Sequence, residues 1–259
     1  MKKLIINADD FGYTPGVSLG IIEAHNKGIV TSTTALTVSD HFLEGMRLAS
    51  QLAPGLGIGI HLTLTLNKAK PILRKEEVPS LVDEEGYFWN QSVYLEKVRP
   101  EEVRLEWEAQ ILRFLESGRK PDHLDSHHYV HGKVEELFNV TLELAEKYRL
   151  PIRNCSNEET FVSYRSRNDD YQTTDWTFLD FYGKAATLEV LERLFDEAVK
   201  SDKEIFEIGC HPAFIDPYLP ELSSYCMERI SELKILTLPE VKQMLKKRGI
   251  LLTNYNIFY

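Results

Sequence analysis

The sequence predicts an α/β protein, one (β/α) barrel enlarged by two loop insertions, and three observations carry that expectation. Short apolar runs suited to buried strands alternate with amphipathic stretches of helical period, the pattern of βα units around a parallel sheet. The length of 259 residues exceeds an ordinary domain of about 150 residues and suits a single barrel over residues 1–259. Aspartates and histidines gather where the predicted strands end, which is where such folds keep their chemistry.

Taken in order, Leu4, Ile5, Ile6 and Ala8 form a strand that stops at Asp9 and Asp10. Thr14 and Pro15 open a helix with Val17, Ile21 and Ile22 on one face, and Gly28 closes it. A β-branched run over 29–38 follows, then a helix to Leu52 with Asp40 as its expected cap, then a strand over 57–64. Val103, Trp107, Ile111 and Phe114 repeat at helical spacing, and Pro121 restarts the chain toward a short strand ending at Asp125. Val134, Leu137, Phe138, Thr141, Ala145 and Tyr148 mark the next helix, before a brief strand over 151–154. The last third predicts a helix over 188–199, a strand over 205–210, a helix over 222–233, a strand over 235–238 and a helix over 239–247. Two polar stretches break this rhythm, 68–99 with Tyr87, Phe88, Trp89 and Tyr94, and 155–185 with Tyr164, Tyr171, Trp176, Phe178, Phe181 and Tyr182. Exposed aromatics in such loops suit the C–H faces of sugars; the alternative is that they anchor the loops on the barrel.

Thirty basic residues against forty acidic ones leave a net charge of −10, which disfavours nucleic acid and anionic membrane surfaces as partners. The three cysteines, Cys155, Cys210 and Cys226, form no paired framework and read as reduced thiols. No apolar run nears the roughly 20 residues needed to cross a bilayer, and Leu4 to Ile6 is too short for a leader. A cytoplasmic protein is expected.

Four predicted strand ends carry chemistry: Asp9 with Asp10, His61, the tract from His123 to His131, and His211. An aspartate pair also serves as a turn or helix cap, and a lone His61 or His211 also serves as a packed core residue. The tract is different, because four of the eight histidines lie in it around Asp125, a density that points to a metal. Without thiolates it is not a zinc-finger pattern.

Asn7-Ala8-Asp9-Asp10-Phe11-Gly12, Gly28 through Ala35, Gly59-Ile60-His61-Leu62-Thr63, Asp125-Ser126-His127-His128-Tyr129-Val130-His131 and Cys210-His211-Pro212-Ala213-Phe214 resemble the signatures of the YdjC-like carbohydrate deacetylases. Nearest in pattern are chitooligosaccharide deacetylases that act on chitobiose-type sugars. The resemblance runs past residue 230; Tyr129 departs from it, standing where a third consecutive histidine is common. It implies a distorted, polysaccharide-deacetylase-like TIM-type barrel with one divalent ion, held by Asp10, His61 and His127. It also implies Asp9 as general base, His211 as general acid, Arg153 orienting Asp9 through a bidentate pair, and frequent homodimers. Asp125 reads as a residue that fixes a histidine tautomer, while His128, His131 and Tyr182 line the pocket or pack beside it. Mg²⁺ is the family expectation, whereas two imidazoles and a carboxylate suit Zn²⁺ and other transition metals better.

The expected reaction is removal of an N-acetyl group from a small acetylated sugar, diacetylchitobiose or its 6-phosphate, with Arg165, Arg167 or Lys184 meeting a phosphate. An amide hydrolase needs an activated water, stabilisation of the carbonyl oxygen and a proton for the departing amine. The alternatives are hydrolysis of another sugar-linked bond and a non-catalytic sugar-binding protein of the same fold.

Overall fold

In a computed structural model, which describes residues 1–155 and 171–259, the apolar run after Lys3 becomes the centre of the molecule. Strand β1 (Lys3–Phe11) is buried from Leu4 to Phe11. It leads into α1 (Pro15–Lys27), which starts where the Thr14 side chain accepts from the Val17 N–H and Pro15 fills the first turn. There follow β2 (Ser32–Ala35), α2 (Phe42–Leu52), β3 (Gly57–Leu62), α3 (Tyr94–Lys97), α4 (Pro100–Leu115), β4 (Leu124–Ser126) and α5 (Glu135–Tyr148). The chain is then described from residue 171 onward: β5 (Trp176–Phe178), α6 (Leu188–Lys200), β6 (Ile205–Cys210), α7 (Leu219–Leu222), α8 (Met227–Leu236), α9 (Pro239–Lys247) and β7 (Leu251–Thr253).

Every pairing between these strands is parallel, in the order β4-β3-β2-β1-β6-β5. Short β7 pairs with Lys3 to Ile5 of β1. Beyond β4 the arc continues through a bridge between Leu124 and Ile152. The Ile152 N–H then donates to the Gln172 carbonyl at 2.9 Å, and Asn154 Nδ2 to the Thr174 carbonyl at 2.6 Å. Loop segments rather than paired strands thus draw the two ends of the sheet together, so the expected distorted barrel takes the form of a parallel half-barrel sheet.

Register puts the chemistry at one end. Ala8 pairs with Cys210 and His61 with Asp125, so Asp9 lies alongside His211 and His127 follows just beyond β4. Gly59 allows β3 to approach β4 closely: a Cβ there would stand 2.3 Å from His123 Nδ1 and 2.7 Å from the His123 carbonyl oxygen. Gly59→Ala is therefore expected to destabilise the fold by about 1–3 kcal/mol through overpacking, read as a lower urea midpoint with the slope unchanged. Gln110 of α4 grips the chain after His61, accepting from the Thr63 N–H at 2.8 Å and donating to its carbonyl at 2.9 Å.

Several boundaries differ from the sequence expectation. The expected strand over 235–238 is absent, because Leu233 and Leu236, three apart and both buried, keep Ile235 and Leu236 in the last turn of α8, and Thr237 and Leu238 link it to α9. Leu251–Thr253 supplies the pairing strand instead. Asp40 does not cap α2; His41 holds that position without a side-chain bond. The strand over 151–154 is reduced to the single bridge at Ile152. In the 68–99 stretch Phe88 and Tyr94 are buried anchors, and Trp89 donates its indole N–H to the Ser80 carbonyl at 2.9 Å, so loop anchoring accounts for these rings.

Candidate metal centre and active site

The carboxyl ends of β1, β3, β4 and β6 open into a cavity of about 710 Å³, a size suited to a small ligand. The end of β1 is bent for the purpose. Its register with β2 shifts between Ala8 and Phe11, and Asp10 takes a left-handed φ of 72°. Aspartate tolerates that conformation better than most residues, and the irregularity aims Asp9 and Asp10 differently.

Asp10, His61 and His127 bring one potential ligand atom each to within 4.8 Å of one another. Asp10 Oδ1 lies 3.1 Å from His127 Nδ1 and 3.5 Å from His61 Nε2. The opposite oxygen, Oδ2, accepts from Arg229 Nη2 at 2.6 Å, which leaves Oδ1 directed at the imidazoles. Burial pushes the Asp10 carboxyl up, but Arg229 and the two histidines outweigh it and hold it well below the ordinary carboxylate range. Asp125 Oδ2 lies 2.8 Å from His61 Nδ1; a carboxylate there favours the proton on Nδ1 and keeps the Nε2 lone pair for an ion. Two imidazoles and one ionised carboxylate converging from three strand ends form a donor set that fits a divalent transition metal. A second group, Asp9, His61 and Asp125, also satisfies the distance criterion, but there both carboxylates are already bound by Arg153.

Arg153 is wholly buried. Its Nη1 reaches Asp9 Oδ2 at 2.8 Å and Asp125 Oδ2 at 2.7 Å, and its Nε reaches Glu207 Oε1 at 2.8 Å. This corrects the expected bidentate pair: one nitrogen is shared between two carboxylates, because the guanidinium must serve three. Asn7 Nδ2 donates to the other Asp9 oxygen at 2.9 Å, fixing that carboxylate from both sides. Arg153→Met leaves three buried carboxylates without their cation and is expected to lower stability by about 3–5 kcal/mol, measured by urea unfolding.

His211 Nε2 lies 3.8 Å from Asp9 Oδ2. Burial pulls its pKa down to about 4 against the opposing charges of Asp9 and Asp10. The His211 backbone N–H donates to Glu232, which also accepts from Tyr225 Oη. Tyr182 is 52% exposed, stacks on Tyr225 at 4.6 Å and meets the His211 ring edge-on at 5.3 Å. It is the one aromatic of the 155–185 stretch that offers an open face to the cavity among the described residues.

The other predicted histidines divide. His128 lines the cavity and lies 2.9 Å from Thr65 Oγ1 through Nδ1. His131 is fully buried between Ser126 and the Arg153 carbonyl, and it packs rather than faces the cavity. Lys184 is exposed and outside the cavity lining, while Arg165, Arg167 and Tyr164 lie outside the described residues. Arg229 and Glu232 went unread in the sequence. Their signal was available: with Leu233 and Leu236 they share the buried face of α8, where an unexplained charge marks a partner across the interface.

Comparison with known proteins matches residues 3–247 to the YdjC-like protein family. A carbohydrate deacetylase of Enterococcus faecalis is 59% identical over 254 residues, spanning 98% of this chain and 97% of its own. A chitooligosaccharide deacetylase of Proteus mirabilis is 36% identical over 256 residues, 97% of each chain. A crystal structure from Enterococcus faecalis V583 superimposes with a TM-score of 0.97 at 58% identity, covering 99% of this chain and 98% of that one.

Proposed function

Since the chain belongs to the YdjC-like family, we propose that it is a divalent-metal-dependent carbohydrate deacetylase that removes an N-acetyl group from diacetylchitobiose or its 6-phosphate. The observation that carries this reading is the convergence of Asp10, His61 and His127 in the cavity lining with the carboxylate of Asp9 beside them. The relatives named for carbohydrate and chitooligosaccharide deacetylation support the substrate class.

In this reading Asp10, His61 and His127 hold the ion, which when bound supplies Lewis acidity to the attacking water and the acetyl oxygen. Asp9 takes the water proton. Its carboxylate is positioned by Arg153 and Asn7, so no reorganisation precedes the transfer. His211 gives a proton to the departing amine. Its depressed pKa leaves it neutral in the resting site, so the proton it delivers is the one Asp9 has taken from water, passed across the 3.8 Å between Asp9 Oδ2 and His211 Nε2. Tyr182 presents a stacking face for a pyranose ring.

The donor set ranks Zn²⁺, Co²⁺ and Mn²⁺ above the family expectation of Mg²⁺. Acetate release assayed with each ion in turn tests that order. In this account the enzyme acts in the cytoplasm, in keeping with its unpaired cysteines, and as a homodimer, for which the test is a solution mass twice that of the chain. Acetate release from diacetylchitobiose and from its 6-phosphate is the deciding assay, and its absence from both with every ion would sink the reading.

A further inference from the structure

A second recess of about 510 Å³ adjoins the active-site cavity, and the two share Tyr13, Leu66, Asn67 and Leu222 in their walls. The partition is a hydrogen-bonded bridge. The Leu222 carbonyl accepts from Tyr13 Oη at 2.9 Å and from Asn67 Nδ2 at 3.2 Å, joining the end of α7 to the loops that follow β1 and β3.

Beyond the bridge the lining turns basic. Lys68, Lys70 and Arg113 face the recess, and Asp40 is its sole carboxylate among the described residues. None of the three cations is ion-paired among the described residues. Lys70 lies 4.7 Å from the Tyr87 ring centroid, and Arg113 Nε donates to the Thr37 carbonyl at 3.0 Å. Lys68 is held at a φ of 56°, a left-handed conformation uncommon for a residue other than glycine, asparagine or aspartate. The position belongs to a turn closed by the Ala69 N–H donating to the Leu66 carbonyl at 3.2 Å, which sets where the Lys68 side chain leaves the loop.

The whole chain carries a net charge of −10, so this concentration of unpaired positive charge runs against the rest of the surface and focuses a local field. The surplus of two positive charges matches a phosphate monoester, which carries about −1.5 to −2 near pH 7. Leu66, Pro71 and Ile72 give the recess apolar walls for the carbon body that bears such a group. We propose that this recess is the subsite for a phosphate on the sugar unit remote from the reacting acetamido group. The inference rests on the sugar-deacetylase reading above and assigns the recognition of a phosphorylated disaccharide to Lys68, Lys70 and Arg113.

Calorimetric binding of diacetylchitobiose and of its 6-phosphate to the metal-loaded protein tests the assignment, with acetate release measured on the same samples. The phosphorylated sugar is expected to bind at least tenfold more tightly, as roughly expected for one or two charge-assisted contacts. That advantage should fall about tenfold in Lys68→Met and in Lys70→Met, further in the double variant, and also with added salt. Both side chains are exposed, and thermal melts of each variant confirm the fold. Equal binding of the two sugars, or an advantage that survives in the double variant, overturns the subsite. Absence of acetate from both sugars, with the charge-dependent binding intact, overturns the deacetylase reading and upholds the subsite.

Discussion

Asp9→Asn is expected to lower kcat for acetate release by about 10²–10⁴-fold, the range over which a positioned general base contributes. The substitution keeps the shape and removes only the ability to accept a proton. It also leaves an amide NH₂ facing a donor in either orientation, because one Asp9 oxygen accepts from Asn7 Nδ2 and the other from Arg153 Nη1. A moderate loss of stability therefore accompanies the loss of turnover. Arg153 retains Asp125 and Glu207, so the fold survives. The diagnostic feature is a separation: the variant still binds the divalent ion, since Asp9 is not among the proposed ligands, yet fails to turn over. Near-normal turnover in Asp9→Asn would remove Asp9 from the chemistry.

The second large effect concerns the ion itself. His127→Ala is expected to cost about a thousandfold or more in acetate release, reflecting the several kcal/mol that a bound cation contributes to stabilising transition-state charge. Of the three proposed ligands His127 is the one whose loss disturbs the fold least, because its side chain is 13% exposed whereas those of Asp10 and His61 are buried. Its neighbour provides the control. His128 borders the same cavity but is turned to Thr65, so His128→Ala should keep ion binding close to that of the unaltered protein. A His127→Ala protein that binds the ion as tightly as before would exclude His127 from the ligand set, as measured by equilibrium titration with Zn²⁺ or Mn²⁺.

The parts of this site that were legible in the sequence are those fixed by local chain geometry. A strand places its last residue at a known end of the sheet, so Asp9, Asp10, His61 and His211 could be assigned to one rim before any tertiary contact was known. The histidine tract was legible for the same reason, together with its density. Arg153 was placed near Asp9, but its partnership was underestimated, because a shared Nη1 and a third carboxylate, Glu207, arise only from the register of β1 against β6 and from the approach of the 151–154 segment to β4. For Arg229 and Glu232 only the helix face was legible. They reach the site from α8, more than 200 residues along the chain from Asp10 and Asp9, so periodicity marks them as buried beside Leu233 and Leu236 without naming their partners. The misplaced strand at 235–238 shows the limit of short apolar runs, which fit a strand or a buried helical turn equally well.

The account's central claim is that one divalent ion, held by Asp10, His61 and His127, enables this chain to release acetate from an acetylated sugar. The most direct test is acetate release from diacetylchitobiose and its 6-phosphate by chelator-stripped protein as Zn²⁺, Co²⁺ or Mn²⁺ is titrated back. The account predicts background activity without metal and a rise that saturates at one ion per chain. Full activity in the stripped protein, or no acetate at any ion concentration, would contradict it.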